Sequence, residues 1–172
     1  MKCKTTLLAL SSFAFFSLVM ISCKKSNSSS GASGTISASI HDSTFQSQAA
    51  NSDGVYSSSQ NGYLLNGVYT GKTDTSIVQI YIQGPIRVGA AVNTDTVGSF
   101  VAYYDVNNSF DWQAGGAGGG TAIYTVTSLD TTNHTIAGTF SGSLYDLLNT
   151  SGTTVDSVNM TGGKFNLTYI VQ

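Results

Sequence analysis

Apolar and polar side chains alternate along most of the chain after residue 34, which is the period of half-buried β-strands. The clearest case covers residues 135–144, where Ile136, Phe140 and Leu144 share one face and threonine and serine side chains share the other. Gly138 and Gly142 interrupt the apolar face, which indicates a bulge or the close approach of another backbone. The alternation predicts that Phe140 is buried in the core.

The same alternation and the turn residues between the runs predict eight or nine strands, with no convincing helix. The predicted strands cover residues 35–40, 45–49, 63–70, 76–82, 99–105, 121–129, 135–144, 153–160 and 165–171, with a turn or bulge at 162–163 and polar loops at 51–62 and 106–120. Short strands at hairpin spacing are typical of all-β domains. We therefore expect an antiparallel β-sandwich, with a calycin-like closed barrel as the alternative.

The first 22 residues have the pattern of a bacterial lipoprotein signal peptide. A basic start precedes a 17-residue apolar run over residues 5–21, and Ser22 is followed by Cys23. Residues 20–23 (MISC) resemble a lipobox, in which the cysteine sulfur is diacylated and the peptide before it is removed. Two or more acyl chains anchor a protein stably, so a lipidated Cys23 would hold the chain at a membrane. An uncleaved N-terminal helix and a plain secretory signal are the alternatives.

The sequence thus divides into three predicted parts: a signal peptide (1–22), a lipidated cysteine with a flexible tether (23–33) and a β-domain (34–172). The tether, KKSNSSSGAS after the cysteine, has the composition of a flexible coil. The predicted location is the bacterial cell envelope, with the outer membrane favoured. The partner implied by the anchor is the membrane itself.

Composition narrows the possible functions. Without residues 1–22 the chain has five basic residues against nine aspartates and no glutamate, a formal charge of −4. Because nucleic-acid binding needs a basic face, nucleic acid is not an expected partner. Cys23 is the only cysteine left after processing, so no disulfide is expected. Nothing in the sequence calls for a cofactor, and the oligomeric state stays open.

The residues that could carry catalysis occur in turn sequences. Both histidines, His41 and His134, lie in predicted turns, and no serine lies in a G-x-S-x-G elbow. Most aspartates also occupy turn positions, where aspartate is common for conformational reasons. Residues 105–111 (DVNNSFD) place oxygen ligands at alternate positions, but they lack the glycine and the bidentate glutamate of a calcium loop. The sequence predicts neither an enzyme nor a metal site.

The 103–120 segment is the candidate ligand-binding region. It combines aromatic side chains with polar groups that could bond sugar hydroxyls, next to a glycine tract at 114–120. Aromatic rings on a loop can stack on a sugar, and binding residues are often on loops. The alternative is that Phe110 and Trp112 fold back over the core. The candidate residues are Trp112, Phe110, Tyr104, Asp105, Asn107 and Asp111.

Three segments resemble a family of Bacteroidota lipoproteins. Residues 125–140 (TVTSLDTTNHTIAGTF) are similar to that family's ITSLDTTNKTISGTFS, and residues 160–165 (MTGGKF) to its closing TNGKF. The SCKK at residues 22–25 is similar to its lipobox followed by lysines. The resemblance implies a small β-domain of unknown function on a lipid anchor, and it implies no catalytic residues.

These observations favour a lipid-anchored, non-enzymatic scaffold or interaction domain of the cell envelope. The first alternative is a carbohydrate-binding module that uses the aromatic residues of the 103–120 segment. The second alternative is a barrel that carries an apolar ligand.

Overall fold

The computed structural model describes residues 34–107, 110–116, 118–147 and 157–172, and this part of the chain is almost entirely β-structure. Cys23 and the predicted signal peptide and tether lie outside the described residues. The strands are β1 (Thr35–Ile40), β2 (Ser43–Gln46), β3 (Asp53–Ser57), β4 (Gly62–Thr70), β5 (Thr75–Gln83), β6 (Ala91–Asn93), β7 (Phe100–Asp105), β8 (Phe110–Gly115), β9 (Gly118–Gly119), β10 (Thr121–Asp130), β11 (Thr135–Asp146) and β12 (Ser157–Val171). A 3₁₀ turn, η1 (Ala49–Asn51), and a single helical turn, α1 (Thr94–Val97), complete this part. No described helix is long and apolar enough to cross a membrane.

All the described strands belong to one sheet that curls like a half-barrel. Its order is β2-β1-β12-β3-β4-β5-β7-β8-β11-β10-β6, with β9 beside β8 and an additional pairing between β11 and β12. The all-β prediction is confirmed, whereas a sandwich of eight to nine strands is not confirmed. The two longest strands explain the curl, because each pairs with more than one neighbour along its length. β12 pairs with β1 and then with β3, and β11 pairs with β10 and then with β8.

Strand β12 is one 15-residue strand with a bulge, where the sequence pattern suggested two strands. Phe140 pairs with Gly163 and Gly142 with Met160, so two residues of β12 lie opposite Ser141. Gly162 has a φ of 60°, which an L side chain rarely adopts. The extra residue bends the strand and keeps the apolar face inward on both sides of the bulge. Of the two sequence predictions for 162–163, the bulge is confirmed.

Two predicted loops contain strands. Residues 51–62 hold β3, which pairs in parallel with the end of β12 through Tyr169 and Gly54. Residues 106–120 hold β8 and β9, and β8 forms six residue pairs with β7. The loop predictions were wrong because polar and glycine-rich segments lack the apolar periodicity of strands. Their backbone groups nevertheless pair with neighbouring strands. Residues 87–98, which the pattern left unassigned, hold β6 and α1.

The inner face of the sheet carries one continuous hydrophobic core. Phe140 is 3% exposed, which confirms the predicted face of β11. A Cβ at Gly138 would lie 2.3 Å from both the Phe165 ring and the Thr125 carbonyl oxygen, so this glycine allows the close approach that the sequence indicated. The largest fully buried side chains are Phe165, Ile36, Leu65, Ile80, Ile82, Ile136, Leu144, Met160 and Leu167.

Candidate functional site

Amide side chains form a line across the outer face of the sheet, opposite the core. Asn66 on β4 pairs with Gln79 on β5, Gln79 with Ala102 on β7, and Ala102 with Gln113 on β8. These four residues, three with amide side chains and Ala102 between two of them, are called the amide row below. Gln79 is 9% exposed and Gln113 is 8% exposed, although both lie on the outer face. Buried amides are costly unless their polar atoms are bonded, so the hydrogen bonds of the row determine its stability.

Side-chain hydrogen bonds link the first two members of the row to each other and to Asp53, and Gln113 is bonded separately to the backbone. Asn66 Nδ2 donates to Asp53 Oδ1 at 3.0 Å, and Gln79 Nε2 donates to Asn66 Oδ1 at 2.8 Å. The Tyr104 hydroxyl donates to Gln79 Oε1 at 3.5 Å, which is a long bond. Gln113 Nε2 donates to the backbone oxygen of Gly115 at 2.7 Å. These bonds fix the direction in which each amide presents its oxygen and nitrogen atoms.

Aromatic rings flank the row on one side. The rings of Tyr81 and Phe100 stack with centroids 5.6 Å apart and an interplanar angle of 28°. The Tyr81 hydroxyl donates to Gln83 Oε1 at 2.8 Å, and burial raises the pKa of Tyr81. Stacked rings add apolar contact area beside the amides. The outer face therefore combines rigid polar groups with aromatic surface.

Tyr104 and Asp111 flank the row on its other side and lie directly opposite each other. Burial and the nearby Asp111 carboxylate raise the pKa of Tyr104 to about 12. Burial and the charge of Asp146 raise the pKa of Asp111. Both shifts favour the protonated forms, because an anion at either position is partly desolvated and close to another negative charge.

The structure divides the residues predicted from the sequence between the two faces of the sheet. Tyr104 and Asp111 are brought together on the outer face, whereas Trp112 points inward and is 8% exposed. The Trp112 ring stacks on Tyr103 at 5.6 Å with an interplanar angle of 19°, and Tyr103 meets Phe45 edge-on at 6.4 Å. Trp112 lies in a strand and not in the predicted loop, and of the two interpretations of its side chain the burial fits the one in which it folds over the core, not the exposed platform for a sugar ring. Its alternation within β8 makes it part of the core.

Asp105 and Asn107 do not join Tyr104 and Asp111 around one site. Asp105 ends β7 and is half-buried. Asn107 lies in the following turn, where its Nδ2 donates to the backbone oxygen of Thr73. Phe110 begins β8, and its side chain lies outside the described part of the structure, as does Cys23.

Sequence reasoning missed the amide row because its members belong to four separate strands. One signal was present: Gln79 stands inside the apolar run IVQIYIQ, a segment whose apolar residues occupy both faces. A polar side chain within such a run indicates a buried hydrogen bond. Which partners it would find depends on strand pairings that the sequence pattern did not give.

The chemistry available on this face is hydrogen bonding and ring contact. Both histidines lie in turns: His41 between β1 and β2, and His134 between β10 and β11. Among the described residues, no group of three or more His, Cys, Asp or Glu side chains is placed to hold a metal ion. The amide row with its flanking rings is therefore described as a candidate binding surface.

Comparison of the chain with protein-family models, with curated proteins and with solved structures gives no match. The function of the surface is therefore inferred from its own geometry.

Proposed function

We propose that the protein is a lipid-anchored, non-enzymatic interaction domain of the bacterial cell envelope, and that it binds its partner on the outer face around the amide row. The lipid would be carried by Cys23. The observation that supports a binding role is the hydrogen-bonded chain from Asp53 through Asn66 to Gln79. The lipobox pattern at residues 20–23 and the resemblance to Bacteroidota lipoproteins support the anchor.

A rigid polar face suits a binding role for energetic reasons. Ordering a mobile side chain at an interface costs about 0.5–1.5 kcal/mol, and groups already held in place avoid much of that cost. Gln79 and Gln113 are held by hydrogen bonds within the sheet. The row itself carries no charge, so its selectivity would come from the positions of donors and acceptors.

The finer architecture that we infer is a calycin-like barrel closed by a short contact. Two residue pairs, Tyr145 with Gln113 and Asp146 with Trp112, join β11 to β8. β11 pairs with β12, and β12 pairs with β3. Starting from β3, the pairings therefore pass through β4, β5, β7, β8, β11 and β12 and return to β3. The interior is filled by the hydrophobic core. This packing favours a scaffold with an external binding face over a barrel that carries an apolar ligand inside.

The anchor is tested by fractionating cells that express variants of the full chain. Cys23→Ala should leave the protein out of the membrane fraction, because no other cysteine remains to be acylated after processing. Cys3→Ala is the matched control, since that residue lies in the predicted signal peptide, and it should stay with the membranes. A Cys23→Ala protein that still sediments with membranes would contradict lipid anchoring.

The binding face is tested by hydroxyl-radical footprinting of the full-length protein in three preparations: native envelopes, detergent micelles and vesicles of purified lipid. Oxidation of Tyr81, Phe100 and Tyr104 should be lower in native envelopes than in the other two. Tyr69, which is 36% exposed on β4, is the internal control and should react equally in all three. Equal oxidation of the face in every preparation would argue against an interaction there.

A further inference from the structure

The outer face of β10, β11 and β12 carries a shallow depression with a volume of about 660 Å³, and Tyr145 at its border pairs with Gln113 of the amide row. Small-molecule sites in proteins have volumes of roughly 300–1,000 Å³. The polar side chains around it are Thr121, Ser141, Ser143, Asn159 and Thr161. None of the sequence motifs singled out above includes this set, because it comes from three strands.

The bulge in β12 explains why a depression forms here. Thr161 and Gly162 both lie opposite Ser141, so the regular pairing of β11 and β12 is interrupted at this point. Gly142 contributes only backbone to the lining, because its Cβ would point to the inner face and lie 2.6 Å from the Cβ of buried Ala122. The bulge therefore leaves the backbone exposed here as a low area between the side chains around it.

The polar lining is held in a row by register and by hydrogen bonds. Thr121 pairs directly with Ser143, and Ser143 with Asn159. Ser143 Oγ donates to Asn159 Oδ1 at 2.7 Å, and this bond fixes the Asn159 amide. At the other end, Thr121 Oγ1 donates to Asp95 Oδ2 at 3.0 Å. Four hydroxyls and one amide therefore lie together, and hydroxyls can both donate and accept.

Two apolar side chains border this polar lining. Tyr145 is 37% exposed and Ile123 is 48% exposed, and both belong to the lining of the depression. A Cβ at Gly119 would lie 3.3 Å from the Tyr145 ring, so that ring lies against β9. Among the residues that the structure describes, no lysine, arginine or histidine lines the depression. A site without a cation offers little to a phosphate or a carboxylate, and a hydroxyl lining offers little to a purely apolar ligand.

We propose that this depression binds a neutral carbohydrate, with the Tyr145 ring against the C–H face of a sugar and the hydroxyl and amide side chains bonded to its hydroxyl groups. A sugar presents the same combination of an apolar face and hydroxyls at its rim. The proposal rests on the proposed function of the protein as an interaction domain. It adds a ligand class and a binding location on β10–β12, next to the face around the amide row. Because the depression is open, the ligand keeps part of its hydration and the affinity is weak.

The test uses the full-length protein in micelles of a zwitterionic detergent that has no sugar headgroup. Saturation-transfer NMR is recorded with neutral tetrasaccharides of glucose, mannose and xylose, and with a tetrasaccharide of galacturonic acid. Tyr145→Ala should weaken binding of the neutral sugar about two- to tenfold, the effect of losing one ring contact. Tyr69→Ala is the matched control because it removes an equally exposed tyrosine outside the depression, and binding should not change. Ser141→Arg, a change at an exposed position, should abolish binding by filling the depression.

The proposal is overturned if no neutral tetrasaccharide binds, if only the galacturonic acid tetrasaccharide binds, or if Tyr145→Ala and Tyr69→Ala bind equally well. Thermal melts of the three variants establish that each is folded before binding is compared. Failure of sugar binding together with protection of the amide-row face in native envelopes would remove this proposal and leave the interaction domain standing. If no sugar binds and the amide-row face is not protected in native envelopes, both the carbohydrate site and the proposed interaction face are refuted.

Discussion

Tyr104 and Asp111 lie directly opposite each other on β7 and β8, and burial together with the Asp111 carboxylate raises the pKa of Tyr104 to about 12. The pair lies beside the amide row, and the Tyr104 hydroxyl donates a hydrogen bond to Gln79 of that row. Ionisation of either partner would place a charge on a partly buried face that has no nearby cation to balance it in the described contacts. The pKa values of both side chains therefore depend on the burial and the charges of this face.

Alkaline pH should weaken the fold through its buried tyrosines. The pKa of Tyr63 and that of Tyr104 are each raised from 10.0 to about 12, so the folded protein holds these protons more tightly than the unfolded chain does. The free energy of unfolding should consequently fall as pH rises from about 10 towards about 12. Tyr104→Phe should make this fall less steep, as measured by urea unfolding across the pH range.

Removing the Asp111 carboxylate should change the titration curve of Tyr104. The ultraviolet difference titration of the native protein, minus that of Tyr104→Phe, isolates Tyr104 among the nine tyrosines. In an Asp111→Asn background the pKa of Tyr104 should fall, because a neighbouring negative charge is gone. It should stay above 10, because burial is the larger cause of the shift. A Tyr104 curve that is unchanged by Asp111→Asn would show that the two side chains do not interact.

Asp111→Asn should also stabilise the protein at neutral pH. The pKa of Asp111 is raised by burial and by Asp146, so the folded state prefers the protonated acid and ionisation works against folding. The gain in melting temperature should be largest above the raised pKa and should disappear as pH falls through it. Asp42→Asn removes a charge from the exposed turn between β1 and β2 and is the control for the change in net charge. A gain that persists at low pH would point to a cause other than ionisation.

Truncation of Phe140 tests the assigned inner face of β11. Phe140→Ala should lower the free energy of unfolding by about 3–5 kcal/mol, the usual cost for a buried aromatic side chain. Thr139→Ala, one residue away on the exposed face, should change it by less than about 0.5 kcal/mol. Equal melting curves for these two variants would refute the assignment of faces.

The sequence predicted the β11 face well, since ten residues of clean alternation determine which side chains point inward. It also indicated the bulge, because two adjacent glycines interrupt a strand pattern at 162–163. It failed where strand pairing outweighs local composition. Asp111 and Trp112 are neighbours in a segment that looked like a loop, and its pairing with β7 sends their side chains to opposite faces of the sheet. No pattern local to that segment could separate them.

The amide row and the depression at β10–β12 escaped sequence analysis for a related reason. Asn66, Gln79 and Gln113 come together only through the pairings of β4, β5, β7 and β8. Polar residues on strands look like ordinary solvent-exposed positions until their neighbours are known. Long-range register therefore decides where the binding surfaces lie, and the sequence decides which side chains can take part in them.

We propose that Cys23 carries a lipid that holds this domain at the envelope, and intact mass spectrometry of the protein extracted from native membranes tests this most directly. We predict a mass equal to residues 23–172 plus a diacylglyceryl group, with or without one further acyl chain. Hydrolysis of the ester-linked acyl chains should lower that mass by their weight. A mass equal to residues 1–172, or to residues 23–172 with no added lipid, would contradict the claim.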